Sequence, residues 1–243
     1  MTVARGLVIA DEIVPGTERI LRDPSAWFAP DDHGCRARAE LVDVLGGHWT
    51  AGEAGIGSYD DDGPRVVRGM RARTKDDGVT PLDVSIHFVI GACADDAEQA
   101  TIWQTADPGL TACCHIGDRR IGRRSVGVEV VSAGMPGRLD LRGRPRATVP
   151  LLGRVRTVLR FYPGQLRAWL WLAETLAALD GRGGIRIPRR VPAFGASRRM
   201  TIREARGYAG ALEHLHAPRT TKSDAGGLLV DALAGIGWER TQP

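Results

Sequence analysis

His214 and Asp224 lie ten residues apart in the stretch LEHLHAPRTTKSDAGG (212–227), with Lys222 between them. A catalytic zinc takes three protein ligands, commonly two histidines and a carboxylate, and keeps a fourth position for water. Pro218 and Gly226 let the chain turn back, so His214 and Asp224 could furnish two of the three. The nearest further candidate is His216, but it is not expected to share one metal with His214. A third ligand would have to come from far away in the chain, and spacing alone does not identify it. The same stretch also reads as a solvated loop. Glu129 sits inside SVGVEVV (125–131), where alternation puts Val126, Val128 and Val130 on one face and Gly127, Glu129 and Val131 on the other. Burying an unpaired carboxylate there is costly. Either Glu129 faces water from an edge strand, or it lines a polar cleft with a tuned pKa and moves a proton. His48 follows Gly46-Gly47; taken alone, it reads first as a hydrogen-bonded structural histidine. Only Lys75 and Lys222 are lysines among 33 basic residues, so a lysine beside Asp224 hints that a compact, titratable ammonium matters there.

These residues need strands to position them. ELVDVLGGHWTAG suggests a buried strand, carrying Leu41, Val42, Val44 and Leu45, that runs into a loop beginning at His48. VSIHFVIG (84–91) reads as a second strand, ATIWQTA (100–106) as its hairpin partner, and SVGVEVVSAG (125–134) as a third. Residues 57–78 look like an exposed excursion. From Pro163, the positions Leu166, Trp169, Leu170, Ala173, Leu176 and Ala177 predict a helix of about 16 residues with one apolar stripe. TIRE (201–204) has the form of a capping box, and the chain after Asp224 predicts a short terminal helix. Strands with helices mixed among them imply an α/β fold with a central mixed β-sheet flanked by helices. At 243 residues one core suffices. The expected division is an N-terminal extension over 1–35 packed on the body, and one domain over 36–243 with a basic insertion at about 135–163.

With 43% hydrophobic and 26% charged residues the composition is that of a soluble globular protein. No apolar run approaches the roughly 18 residues of a membrane span. The apolar patch near the N-terminus is shorter than the about 7–15 residues of a signal peptide, so synthesis in the cytoplasm is expected. Cys35, Cys93, Cys113 and Cys114 show no CxxC spacing and read as reduced thiols, not ligands. Net charge is +4, but sixteen arginines and four acids between Arg138 and Arg206 make that region +12 and leave the rest at −8. Such a face suits an anionic polymer or surface, while an arginine-rich coding bias would give the same count. Few aromatics interleave the arginines and no recognition-helix pattern is present, which argues against a specific nucleic-acid binder.

HWTAG (48–52), SIHFVI (85–90), CHIG (114–117), SVGVEVV (125–131) and EHLHAPRTTKSDAG (213–226) occur in that order. Together they resemble the zinc-dependent N-acetylmuramoyl-L-alanine amidases of the amidase-2 family, relatives of peptidoglycan recognition proteins and phage lysin amidases, over roughly residues 40–235. The resemblance implies that His48, His214 and Asp224 hold Zn2+, that Glu129 activates the attacking water, and that Lys222 stabilises the oxyanion. It places His115 at the substrate-binding rim; Trp49, Arg123 and Arg124 are expected as further substrate contacts. His87 is implied to be structural, and His216 and His33 receive no role. Arg123 and Arg124 stand near where the family has asparagine, Asp-Ala-Gly (224–226) replaces Asp-Pro-Gly, and Ile86 occupies a position where some lysin amidases carry tyrosine. More of the burden then falls on Glu129 and Lys222. The implied reaction is hydrolysis of the amide between the lactyl group of N-acetylmuramic acid and L-alanine. The implied protein is a monomer that acts on peptidoglycan in an endolysin-like role, its basic face toward the anionic envelope. A cytosolic amidase of anhydro-muropeptide recycling is the alternative, as is a non-catalytic peptidoglycan-binding module of the same fold. Such modules tend to lose a ligand, and this chain keeps all three. A barrel amidohydrolase would carry its His-x-His pair on the first strand, not at 214–216.

Overall fold

The β-branched runs of the sequence become the centre of one sheet in a computed structural model that describes residues 2–50, 62–75, 77–80, 82–92, 96–116, 118–132, 134 and 144–243. In chain order the strands are β1 (Thr2–Ile9), β2 (Glu12–Arg22), β3 (Arg36–Ala37), β4 (Val44–Trp49), β5 (Phe88–Ala92), β6 (Ala100–Gln104), β7 (Thr111–Ala112), β8 (Ser125–Val130), β9 (Arg146–Leu151), β10 (Arg154–Leu159), β11 (Arg190–Pro192), β12 (Gly210–Glu213) and β13 (Glu239–Thr241). The helices are α1 (Asp62–Arg71), α2 (Arg119–Arg123), α3 (Pro163–Ala177), α4 (Ile202–Gly207) and α5 (Leu228–Gly235).

Seven strands form the main sheet in the order β1-β2-β6-β5-β8-β4-β12. Its half from β5 through β8 and β4 to β12 is parallel, while the β5–β6 and β1–β2 pairs are antiparallel. The fold is therefore the expected α/β class, a central mixed sheet flanked by helices. Parallel strands are covered on both faces, and every residue of β4 and β5 is buried accordingly. On one face α3 begins at Pro163, whose fixed φ suits a first helical turn, and Gln165 Oε1 accepts from the Tyr162 amide at 3.2 Å. The buried stripe of α3 runs through Ala168, Trp169, Leu172, Ala173, Leu176 and Ala177. Leu166 and Leu170, expected in that stripe, are only partly buried. Trp169 Nε1 donates to the Leu229 carbonyl at 3.0 Å and ties α3 to α5.

The other face carries α1, whose Val67 and Met70 pack with Ile86, Val89 and Trp103. This helix corrects the reading of 57–78 as an exposed excursion; residues 57–61 and 76 lie outside the described residues. Three further boundaries differ from expectation. Strand β4 does not give way to a loop at His48, because its pairing with β8 continues to Trp49 opposite Val130. Strand β5 starts at Phe88, since the Ser85 amide bonds to Cys114 O at 3.0 Å instead of to a neighbouring strand of the sheet. Within residues 1–35, β1 and β2 are strands of the main sheet itself, with β2 parallel to β6. Of the basic segment 135–163, residues 144–163 include the β9–β10 hairpin, and 135–143 lie outside the described residues, as does Cys93. Cys35 and Cys113 are unbridged, their sulfurs 3.7 Å apart. Among the described residues no helix is long and apolar enough to cross a membrane.

Candidate active site

Three neighbouring parallel strands, β8, β4 and β12, end side by side. Carboxyl ends of parallel strands are where open α/β sheets gather ligands. Register pairs His48 on β4 with Glu129 on β8, so both side chains leave the same face. His214 follows β12 directly, in a one-turn 3-10 segment (His214–His216), and Asp224 arrives on the loop before α5.

His48 Nδ1 lies 3.2 Å from His214 Nδ1 and 3.3 Å from Asp224 Oδ2, and His214 Nδ1 lies 3.4 Å from that same oxygen. A tetrahedral ion with bonds of roughly 2.0–2.1 Å separates its ligand atoms by about 3.3–3.4 Å. The triangle therefore has the size of one face of such a shell. Its donor set, two imidazole nitrogens and a carboxylate oxygen, fits zinc. Burial pushes the His48 pKa down and keeps its ring neutral, the form a ligand requires. Burial would raise Asp224, but the adjoining His214 and His48 rings hold its carboxyl well below the usual range.

Glu129 shows the opposite behaviour. Burial, aided by the Asp224 charge, raises its pKa well above that of an ordinary glutamate, against the pull of Arg73 and Lys222. Its Oε2 is closed off from solvent without a hydrogen-bond partner among the described residues. A carboxyl in this state suits proton transfer.

Two buried groups hold the triangle. Glu213, the residue before His214, accepts from the amides of Ala225 (3.0 Å), Gly227 (2.6 Å), Leu229 (2.8 Å) and Val230 (3.2 Å). One carboxylate thus fastens the Asp224 loop and the start of α5 to the strand end that carries His214. Burial still pushes the Glu213 pKa up to about 7. Beneath His48, the His115 ring lies over Gly46 and Gly127, which face each other across β4 and β8. A Cβ on Gly127 would sit 2.5 Å from His115 Cγ, and one on Gly46 would sit 2.9 Å from its Cε1.

The remaining expected site residues divide. Lys222 is exposed, yet its charge reaches both Glu129 and His48. His115 is only 8% exposed and lies below His48 instead of at a rim. Trp49 is 6% exposed, its ring packed against Gly134 and Gly226, and so serves the core. Arg123 and Arg124 precede β8, at the end of the strand remote from Glu129, about 17–20 Å away at roughly 3.3 Å per residue. Arg124 Nε pairs with Asp43 at 3.0 Å and its Nη1 donates to Arg206 O at 2.8 Å, while the exposed Arg123 lies 3.9 Å from Glu40. Neither is brought to the site. His216 accepts from the Glu213 amide at 2.8 Å and donates to Gly195 O at 2.8 Å, in the turn that follows β12. His87 is structural in its contacts, accepting from the Gly127 amide at 3.0 Å and donating to Thr111 O at 2.9 Å.

Sequence reasoning missed Glu213, Arg73 and Ser125. For Glu213 a signal existed: a carboxylate between Leu212 and His214 on a buried strand end, the same anomaly that singled out Glu129.

No protein-family model and no curated protein matches this sequence. Among solved structures, the chain is similar to the N-acetylmuramyl-L-alanine amidase AmiD of E. coli, in complex with the substrate anhydro-N-acetylmuramic acid-L-Ala-D-gamma-Glu-L-Lys, with 19% identity and a TM-score of 0.46. That alignment covers 82% of this chain and 59% of AmiD, so the chain spans less than two thirds of that protein. It is also similar to a selenomethionine derivative of AmpD, with 17% identity and a TM-score of 0.44 over 97% of this chain and 99% of that one.

Proposed function

We propose that this chain is a zinc-dependent N-acetylmuramoyl-L-alanine amidase that hydrolyses the amide between the muramic lactyl group and L-alanine. The carrying observation is the His48–His214–Asp224 triangle, sized for zinc, beside the Glu129 carboxyl, whose buried Oε2 has no hydrogen-bond partner among the described residues. Zinc held there supplies Lewis acidity and makes water acidic enough to attack near neutral pH. Glu129, one strand over, takes a proton from the attacking water and returns it to the leaving amine of L-alanine. The Lys222 ammonium supplies a positive charge to the carbonyl oxygen as that oxygen becomes anionic. Muropeptides are anionic, which suits a site edged by Lys222 and Arg73 and a chain with an arginine-rich half.

The test is mass spectrometry of products after the zinc-loaded protein meets polymeric peptidoglycan and, separately, soluble anhydro-muropeptides, each with a chelated control. New L-alanine amino termini absent from the control are the expected outcome. Release from the polymer marks a wall-cleaving role, and release from soluble fragments alone marks recycling. Intact substrate in both arms would leave a binding module and overturn the proposal.

A further inference from the structure

Resting on the reading of His48 as a zinc ligand, we infer that His115 and Ser125 are positioning residues that fix the tautomer of His48. The observation is a buried hydrogen-bond chain that ends on a group able only to accept. His48 Nε2 lies 2.9 Å from His115 Nδ1. His115 Nε2 lies 2.8 Å from Ser125 Oγ, and Ser125 Oγ donates to the Gly122 carbonyl at 3.1 Å. His48, His115 and Ser125 are all buried.

A carbonyl oxygen accepts, and a hydroxyl has one proton, so a chain anchored on the Gly122 carbonyl has one direction at every link. With its proton on Gly122 O, Ser125 Oγ accepts from His115 Nε2–H. The His115 Nδ1 atom is then bare and accepts from His48 Nε2–H. That leaves the proton of neutral His48 on Nε2, and a bare lone pair on Nδ1, the atom in the triangle with His214 and Asp224. The reversed chain would drop the bond to Gly122 and place a proton on Nδ1, where it would face the Asp224 carboxylate at 3.3 Å and block a metal. Partners of this kind fix ring orientation and basicity in metal-ligating histidines. The chain has room because Gly46 and Gly127 carry no side chains under the His115 ring. Ser125 thus acts on the centre through two imidazoles without approaching substrate.

The experiment measures zinc dissociation constants by competition with a chromophoric chelator for the wild type, His115→Phe, His115→Asn and Ser125→Ala. Asparagine places an acceptor oxygen where His115 has Nδ1, and phenylalanine keeps the ring shape without it. His115→Phe is expected to weaken zinc binding by about 10–100-fold, the usual cost of losing such a partner. Ser125→Ala is expected to weaken it too, and His115→Asn to restore most of the affinity. In the metal-free wild type at a pH where the rings are neutral, 15N spectra should place the His48 proton on Nε2, and Ser125→Ala should shift population to Nδ1. Wild-type affinity in a folded His115→Phe protein, or a His48 proton on Nδ1 in the wild type, would overturn the inference while leaving the zinc site standing. A wild type that binds no zinc would overturn both. If His115→Phe does not fold, Ser125→Ala decides by the same two readouts.

Discussion

Glu129 stands one strand over from His48, and substituting it separates metal binding from turnover. Glu129→Gln should retain zinc at wild-type stoichiometry and lose nearly all product release, checked by metal analysis beside the product assay. Asp224→Ala should lose both. Lys222→Met should keep zinc and lower turnover by about 10²–10³-fold, the usual cost of removing an oxyanion donor. Away from the centre, burial is the main cause that pushes His87 down to about 3 and His216 down to about 4. Unfolded, both protonate near 6.5, so below that pH the unfolded chain takes up protons the folded chain refuses. Stability should therefore hold above about pH 6.5 and fall as pH drops toward 4, with roughly 3 kcal/mol of the loss from His216 alone. A melting temperature for the metal-free protein that stayed flat from pH 7 to 4.5 would show that these rings protonate in place. At this scale the sequence made Glu129, His214 and Asp224 conspicuous, because charge on an apolar strand and close polar spacing are local signals. His115 was assigned to a rim by the resemblance alone, and a histidine in a loop carries no local mark of what lies above it.

Among the elements, the decisive arrangement is β8, β4 and β12 ending together, with Glu213 binding the Asp224 loop to the last of them. Glu213→Gln keeps the shape but faces backbone donors with an amide, and should cost about 2–4 kcal/mol of stability. It should also weaken zinc binding, since both His214 and the Asp224 loop lose their common anchor; denaturant titrations with and without zinc would check this. Gly127→Ala places a methyl group against the His115 ring and should cost about 1–3 kcal/mol, with weakened zinc binding. Unchanged affinity there would show that the ring shifts freely. Helix α3, the capped α4 and β8 were legible because periodicity and capping are short-range. Helix α1 was not, because only a few apolar residues punctuate a charged stretch, and its burial depends on a sheet built from elsewhere. The extent of β4 was hidden for a related reason: its glycines signal a turn in isolation, yet here Gly46 makes space beneath His115 and Gly47 makes space for Leu229 and Trp169.

For the whole molecule, a bound ion would cross-link β4 to the 214–224 segment, joining parts of the chain 166 and 176 positions apart. An ion that binds only the folded state stabilises it by about 2.7 kcal/mol at a hundredfold excess over its dissociation constant. Chelation should therefore lower the melting temperature by about 5–10 °C for a chain of this length. An unchanged melting curve would place zinc outside the folded site. The architecture was legible as a class, whereas the strand order was not, because β1 and β2 carry little periodicity and β12 is short. The distance between the ligands along the chain also has a consequence during biosynthesis. His48 emerges from the ribosome 176 residues ahead of Asp224, roughly 9–35 s earlier at ordinary translation rates of about 5–20 residues per second. Through that interval the nascent chain offers one of the three ligands, so loading must wait for Asp224, and a chain cut short before His214 would lack the trap.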